Sequence, residues 1–525
     1  MSEHPREEPV LSGRTRRLAL LTLCLVMFLT FMDMTIVSVA LGSVRSNLHA
    51  GVSQLQWVVN GYGLTFAAFM LLGGTLGDRL GRKKIMLMGL GLFAAGSLLG
   101  ALAPTTDVLI AARVIMGVGA AASEPGTLSI LRQMFPEPQL RARAIGTWAA
   151  VSGLAIAFGP VVGGLLVASG QWQAVFWFNV IAAVIVIVLA AGCVPESSSP
   201  QSEPLDLGGF FSGAVGLGSL TFAIILGENN GYRTSGVVGL FLVGVVSLVG
   251  FARIERHAKS PLLDLEYFRS SRFSGAMVVA FILYFSIFSI FFFTALYLTS
   301  VIGYSSVRIA VEFIPMASAM IMASVFAGRR VARIGPRAPM AEGCVMAGAG
   351  ILLSALLLEA AHPSLWLMAT LALAGYGFGT SVVPMTSVTL GEVAPERSGM
   401  AASATNTSRE LGSVFGVAVL GALVNAQLTG ALTHRLSALK VPKSFFAEII
   451  TFVETGAAPP GIAIGNGSGN TIEDRVIQAV YGAFRTGLEQ SLVVAGLGML
   501  VAATIAVRTL GPKRLVHVVD RDFEI

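Results

Sequence analysis

Apolar runs of about 20 residues alternate along this chain with short segments rich in charge, glycine or proline. A hydrocarbon core of about 30 Å takes roughly 20 apolar residues to cross as a helix, so the pattern predicts a series of transmembrane helices. Fourteen spans emerge, at residues 18 to 41, 55 to 76, 84 to 103, 108 to 131, 144 to 168, 174 to 194, 207 to 227, 236 to 252, 273 to 299, 307 to 328, 338 to 360, 364 to 388, 400 to 427 and 488 to 509. The first run is too long for a signal-peptide core, has no convincing cleavage site and follows Arg14, Arg16 and Arg17. It reads as an uncleaved span.

Short cytoplasmic loops retain Lys and Arg, and this fixes the expected orientation. Arg79, Arg82, Lys83 and Lys84 follow span 2; Arg132, Arg141 and Arg143 follow span 4; Arg253, Arg256, Lys259, Arg269 and Arg272 follow span 8; Arg329, Arg330, Arg333 and Arg337 follow span 10. The loops of opposite parity offer little beyond Arg45 and Arg233. Both termini are therefore expected in the cytoplasm, and the span count is even. Residues 1–17 form an amino-terminal tail, 18–194 a first six-span bundle, 195–272 a linker with two extra spans, 273–509 a second six-span bundle and 510–525 a carboxyl tail. A long outer loop at about 429–487 contains PPGIAIGNGSGN.

Composition sharpens this picture. Of 525 residues 54% are hydrophobic and 12% charged, with a mean hydropathy of +0.77, whereas a soluble domain carries about 25% charged residues. The basic pI of about 9.4 comes from residues beside the spans rather than from a separate basic domain, so no nucleic-acid partner is expected. The cysteines, Cys24, Cys193 and Cys344, are odd in number and lie inside spans, which leaves packing as their role. HExxH, GxxxxGK[ST], a convincing GxSxG elbow and paired-Cys spacings are missing, so neither an ATP-driven pump, a hydrolase nor a metal site is indicated.

The segment GTLGDRLGRK after span 2 recurs after span 10. An offset of 254 residues lays Gly74 on Gly328 and matches the Arg-x-Gly core at Arg333 and Gly335, although Asp78 meets Ala332. The same offset carries span 2 onto span 10 and span 5 onto span 13. The spans therefore read as six, two and six, with 7 and 8 unpaired, and parallel six-span halves of this kind are typical of secondary transporters.

Ionisable residues inside spans are costly in lipid unless paired or facing a polar cavity. Asp33 lies about 12 Å below the end of span 1 and Arg113 about 8 Å into span 4, so the two are at similar depth and can pair. Glu124, eleven residues beyond Arg113, falls on the same face of span 4 and is expected in the cavity. Glu312 in span 10 either lines the cavity or pairs with Arg308 one turn earlier. Arg409 and Glu410 in span 13 read as gate or packing charges. The aromatic run FILYFSIFSIFFF, Phe281 to Phe293, reads as packing before it reads as a drug-binding wall.

Four strings carry a family resemblance: MDMTIVSVAL (Met32 to Leu41), GTLGDRLGRKK after span 2, RVIMGVGAA (Arg113 to Ala121) and GLAIAFGPVVGG (Gly153 to Gly164). WQAVFWFNV, Trp172 to Val180, adds to them. In this order and on these spans the chain resembles the fourteen-span drug:proton antiporters of the major facilitator superfamily, the EmrB/QacA type, over nearly its whole length. The resemblance implies an all-α integral membrane protein of the bacterial inner (plasma) membrane, with two six-helix bundles and two extra central helices. It is expected to work as a monomer, with no cofactor and the proton gradient as energy source. It also implies proton coupling at Asp33 and Arg113, and a conformational latch built from Gly74, Asp78, Arg79, Gly81 and Arg82. Gly153, Gly159, Pro160, Gly163 and Gly164 form its antiporter motif, whose small residues permit close packing at a moving interface. An acid at Glu124 departs from the family pattern and points to substrate choice, with Glu312 as a second cavity acid.

The expected function is proton-coupled export of small amphipathic, often cationic molecules by alternating access, with protons and the lipid bilayer as the other partners. The alternatives are a carrier of the same fold for a physiological solute such as a lipid, natural product or osmolyte, or a transport-incompetent sensor.

Overall fold

The computed structural model describes residues 13–169, 171–197, 206–258, 261–300, 302–357, 365–393, 398–438 and 472–511. All its regular elements among these residues are helical, as they must be where lipid offers no partner to an open backbone. The helices are α1 (Gly13–Leu48), α2 (Val52–Leu80), α3 (Arg82–Ala101), α4 (Thr106–Ser123), α5 (Pro125–Met134), α6 (Pro138–Leu166), α7 (Gln173–Cys193), α8 (Leu207–Asn230), α9 (Ser235–His257), α10 (Ser271–Ser300), α11 (Ser306–Ile334), α12 (Arg337–Leu357), α13 (Leu365–Gly391), α14 (Ser398–Ala438) and α15 (Ile472–Thr509).

Among the described residues each expected span falls on one of these helices, span 4 on α4 and α5 together, but several boundaries move. Helix α1 begins at Gly13, inside the expected tail, while α14 runs to Ala438 and α15 begins at Ile472. Of the loop expected at 429–487, residues 429–438 and 472–487 are helical, and 439–471 lie outside the described residues, as do 512–525. Hydropathy marks where a chain leaves the hydrocarbon, whereas a helix goes on satisfying its own backbone in water. By length and composition twelve helices among the described residues can cross a membrane, α4 and α5 counting together, or thirteen with the bent α2. That figure stops short of the fourteen expected; the fifth expected span, 144 to 168, lies in α6.

The packing repeats as the sequence does. In the first half α1 packs on α6 and α7, α2 on α4, and α3 on α4 and α7; in the second, α10 packs on α14 and α15, α11 on α13, and α12 on α13 and α15. Each partner follows from its counterpart when α1 is laid on α10, α2 on α11 and α6 on α14. The turns agree in detail. Gly81 after α2 has φ 108° and Gly335 after α11 has φ 78°, left-handed values that favour glycine, and each amide donates to the carbonyl four residues back, at Gly77 and Val331.

The halves meet along two seams, α2 on α14 and α6 on α11, with α1 against α10 beside them. Helices α8 and α9 pack as a hairpin, and α8 lies over the α2–α14 seam. Two aromatic contacts to α2 hold it, Trp57 to Phe222 with ring centroids 5.6 Å apart and Phe69 to Phe210 at 5.0 Å. The expected insertion thus packs where the two halves touch. The aromatic run of α10 is core, as expected, with Phe288, Phe291, Phe292 and Phe293 all buried.

Candidate functional site

Asp33, fully buried on α1, forms an ion pair with Arg113 of α4. Its other carboxylate oxygen accepts from Asn179 Nδ2 of α7 at 2.5 Å. Arg113 also donates from Nε to the Val58 carbonyl at 2.9 Å, and its guanidinium lies 4.4 Å from the Tyr62 ring centroid. The tyrosine in turn donates to the Thr30 carbonyl at 2.9 Å. Four helices therefore hold one charge pair, with both carboxylate oxygens and the guanidinium Nε and Nη1 hydrogen-bonded and Nη2 without a partner among the described residues.

Glycines bring those helices close enough. A Cβ on Gly117 of α4 would lie 2.4 Å from the Tyr62 carbonyl oxygen, and Thr65 Oγ1 donates across the same contact to the Val114 carbonyl at 3.1 Å. On α6, a Cβ at Gly159 would sit 2.0 Å from Thr35 Oγ1 and 3.0 Å from the Met32 carbonyl oxygen, and one at Gly163 would sit 2.5 Å from the Ile36 carbonyl oxygen. The glycine motif of α6 therefore packs directly on the stretch of α1 that carries Asp33. Helix α6 stays continuous through Pro160. Gly153 and Gly164 fall on the same helix.

Span 4 runs over two helices that cross together, with the ladder interrupted for one residue where α4 ends at Ser123 and α5 starts at Pro125. Proline has no N–H to continue the ladder, so Glu124 stands at the break, buried. Its Oε1 accepts from Asn406 Nδ2 of α14 at 2.9 Å, a bond between the two halves. Arg409 completes this cluster, donating to Asn406 Oδ1 at 3.2 Å and to Thr386 Oγ1 of α13 at 2.6 Å, with its guanidinium 5.3 Å from the Tyr284 ring. Glu410 is fully buried with neither carboxylate oxygen hydrogen-bonded among the described residues, and it interacts electrostatically with Glu124 and Arg409. Arg409 and Glu410, read from sequence as gate or packing charges, thus lie in the same cluster as Glu124. Glu312 on α11 is buried with Oε2 unbonded, and it is joined to none of these groups. It makes no contact of salt-bridge length with Arg308, whose guanidinium lies over the Tyr304 ring at 4.2 Å, but it interacts electrostatically with that arginine.

At the basic end, Asp78 in the last turn of α2 pairs with Arg82 at the start of α3 at 2.7 Å, across the Gly81 turn. Gly74 of α2 approaches Pro125 and Ser403, its Cβ position 3.4 and 4.0 Å from them, so this end of the first half touches α14. Gly81 leaves room for Glu196, beyond α7, whose oxygens accept the amides of Lys83 and Lys84 at 3.0 and 3.2 Å and so cap the start of α3. Arg79 lies in the last turn of α2. The second copy lacks an acid at Ala332 but has a clasp of its own, Arg330 to Glu342 at 2.5 Å with Tyr376 alongside at 3.1 Å.

Asn179, Tyr62, Asn406 and Thr386 were not singled out from sequence as site residues. The available signal was a neutral polar side chain in mid-span, weaker than a charge because its burial costs less.

The model of the Major Facilitator Superfamily matches residues 23–417. Multidrug resistance protein Stp of Mycobacterium tuberculosis is 33% identical over 441 residues, which cover 83% of this chain and 82% of that protein. Drug efflux pump JefA of the same organism is 33% identical over 487 residues, 91% of this chain and 94% of that one. Among solved structures, a bacterial homologue of the human lysosomal transporter Spinster, inward-facing and unoccupied, superposes with a TM-score of 0.62 at 19% identity, covering 95% of this chain and 98% of its own. That likeness concerns the fold. With its spans, its paired halves and these relatives, the chain belongs to the major facilitator superfamily, as an integral membrane transporter and not an enzyme.

Proposed function

We propose that this transporter exports amphipathic, often cationic small molecules from a bacterial cell in exchange for protons, by alternating access and without a cofactor. The names of its relatives, a multidrug resistance protein and a drug efflux pump, support the substrate class. The observation that carries proton coupling is Asp33, a carboxylate at the heart of the first half, held by Arg113 and Asn179 and packed under the α6 glycines. A carboxylate so placed can trade its arginine for a proton when the packing around it changes. Glu124, bonded across the halves to Asn406, supplies a negative charge for the cationic part of a substrate. The basic residues beside Gly81 put that end, with both termini, in the cytoplasm. A single chain contains all these groups, which fits action as a monomer.

Purified protein in liposomes with an imposed pH gradient tests the reading. Asp33→Asn keeps the size of the side chain but cannot titrate, and gradient-driven efflux should be lost. Leaving Arg113 buried without its partner costs about 3–5 kcal/mol, so folded protein is quantified first. Efflux at the unaltered rate in folded Asp33→Asn would refute the assignment.

A further inference from the structure

The α2–α14 seam carries uncharged amides that the transport reading above does not use. Gln56 and Asn60, one helical turn apart on α2, are both 0% exposed, and none of their four amide atoms has a hydrogen-bond partner among the described residues. Gln56 lies against Gly421 of α14, where a Cβ would stand 1.9 Å from its Nε2. Asn425, one turn beyond Gly421 on the same helix, is buried with Oδ1 unbonded. Asn60 lines a cavity of about 10 Å³ bounded by Met34 of α1, Phe288 of α10, and Ser413 and Val414 of α14. The cavity therefore lies where helices of both halves meet. At that volume it admits about one water molecule and no drug.

Buried amides are normally hydrogen-bonded, because leaving one unpaired forfeits its solvation. Two adjacent buried amides with no partner among the described residues, and room for about one water beside Asn60, are costly to keep in the closed seam that contains them. An opened seam would give them a ligand. A side-chain amide offers an N–H donor to carbonyl oxygens and an acceptor to hydroxyls, and it carries no charge to attract a bare cation. We propose that Gln56 and Asn60 recognise neutral oxygen groups, carbonyls and hydroxyls, on the transported compound when α2 and α14 part. This divides recognition between a carboxylate for the charge and an amide pair for the oxygen-bearing body. The inference rests on the export reading.

The test compares two cations in proteoliposomes: tetraphenylphosphonium, which has no hydrogen-bonding atoms, and doxorubicin, which is rich in hydroxyls and carbonyls. Gln56→Met and Asn60→Leu keep much of the volume and remove the amides. Each should lower doxorubicin efflux about tenfold, the worth of a lost hydrogen bond or two, while tetraphenylphosphonium efflux is kept. The unliganded variants should melt no lower than the unaltered protein, because the amides they remove bond to no described residue in the closed seam. Equal losses for both cations, a lowered melting temperature, or unchanged doxorubicin efflux would overturn the amide assignment and leave the export reading intact. Unaltered protein that moves neither cation would overturn both.

Discussion

At the scale of single residues, the polar groups of this transporter fall into two kinds. Asp33 is saturated: one oxygen goes to Arg113 and the other to Asn179. Glu124 is half satisfied, with Oε1 on Asn406 and Oε2 unbonded among the described residues. A saturated carboxylate suits a site that must be emptied by a proton, whereas a half-satisfied one has capacity left for a cation. If Glu124 serves the charged part of substrates, Glu124→Gln should weaken export of cationic compounds by about tenfold or more and spare neutral ones, since the amide keeps the shape and the bond to Asn406. Parallel efflux assays on a cationic and a neutral compound, normalised to folded protein, separate this from a structural role. Equal losses would reject Glu124 as a selectivity residue.

At the scale of elements, the close approaches are set by glycine and the breaks by proline. Helix α6 reaches α1 only because Gly159 and Gly163 carry no Cβ, and α4 gives way to α5 at Pro125. A side chain at 159 would meet Thr35 Oγ1 and the α1 backbone, which has nowhere to go, whereas one at Gly91 of α3 would meet open space. Gly159→Val should therefore lower the melting temperature through overpacking of roughly 1–3 kcal/mol and disturb the Asp33 site with it. Gly91→Ala should be neutral or stabilising, by up to about 1 kcal/mol, because alanine is the better helix former. Thermal unfolding in detergent measures both. Equal melting temperatures for the two variants would contradict the packing account.

At the scale of the whole molecule, two equivalent halves close on one another along α2–α14 and α6–α11. The latch read from sequence is a local device here: Asp78 holds Arg82 across the Gly81 turn, and the contact across the halves at that end is the approach of Gly74 to Ser403. Asp78 would then act on the seam by keeping Arg82 and the turn in place. That pair is partly exposed, so it is worth up to about 1 kcal/mol, and a shift in the open-to-closed ratio can be no larger than about fivefold. Spin labels at the exposed Leu80 and Arg337, at the basic ends of α2 and α12, should show a modest rise in the longer distances in Asp78→Asn. An unchanged distribution would remove Asp78 from the latch.

The sequence by itself determined the all-helical membrane fold, the repeat of its two halves and the glycine-rich strings, though not the number of spans, because membrane crossing depends on runs of apolar residues and a repeat leaves its trace in turn glycines such as Gly81 and Gly335. It also singled out Asp33, Arg113 and Glu124, since a charge in an apolar run is conspicuous whatever it touches. Only the tertiary structure decided what those charges touch: Asn179 from α7 on Asp33, Asn406 from the other half on Glu124, and nothing bonded to Glu410 or Glu312 Oε2 among the described residues. It also decided that α4 stops at Glu124, that α14 and α15 outrun their apolar segments, and that α8 covers a seam. These depend on which helix faces meet, and the apolar runs are hydrophobic nearly all round, so they give little sign of which face turns inward. Lipid outside and protein inside are equally apolar; glycine contacts and polar pairs choose between them, and both are made by residues far apart in the chain.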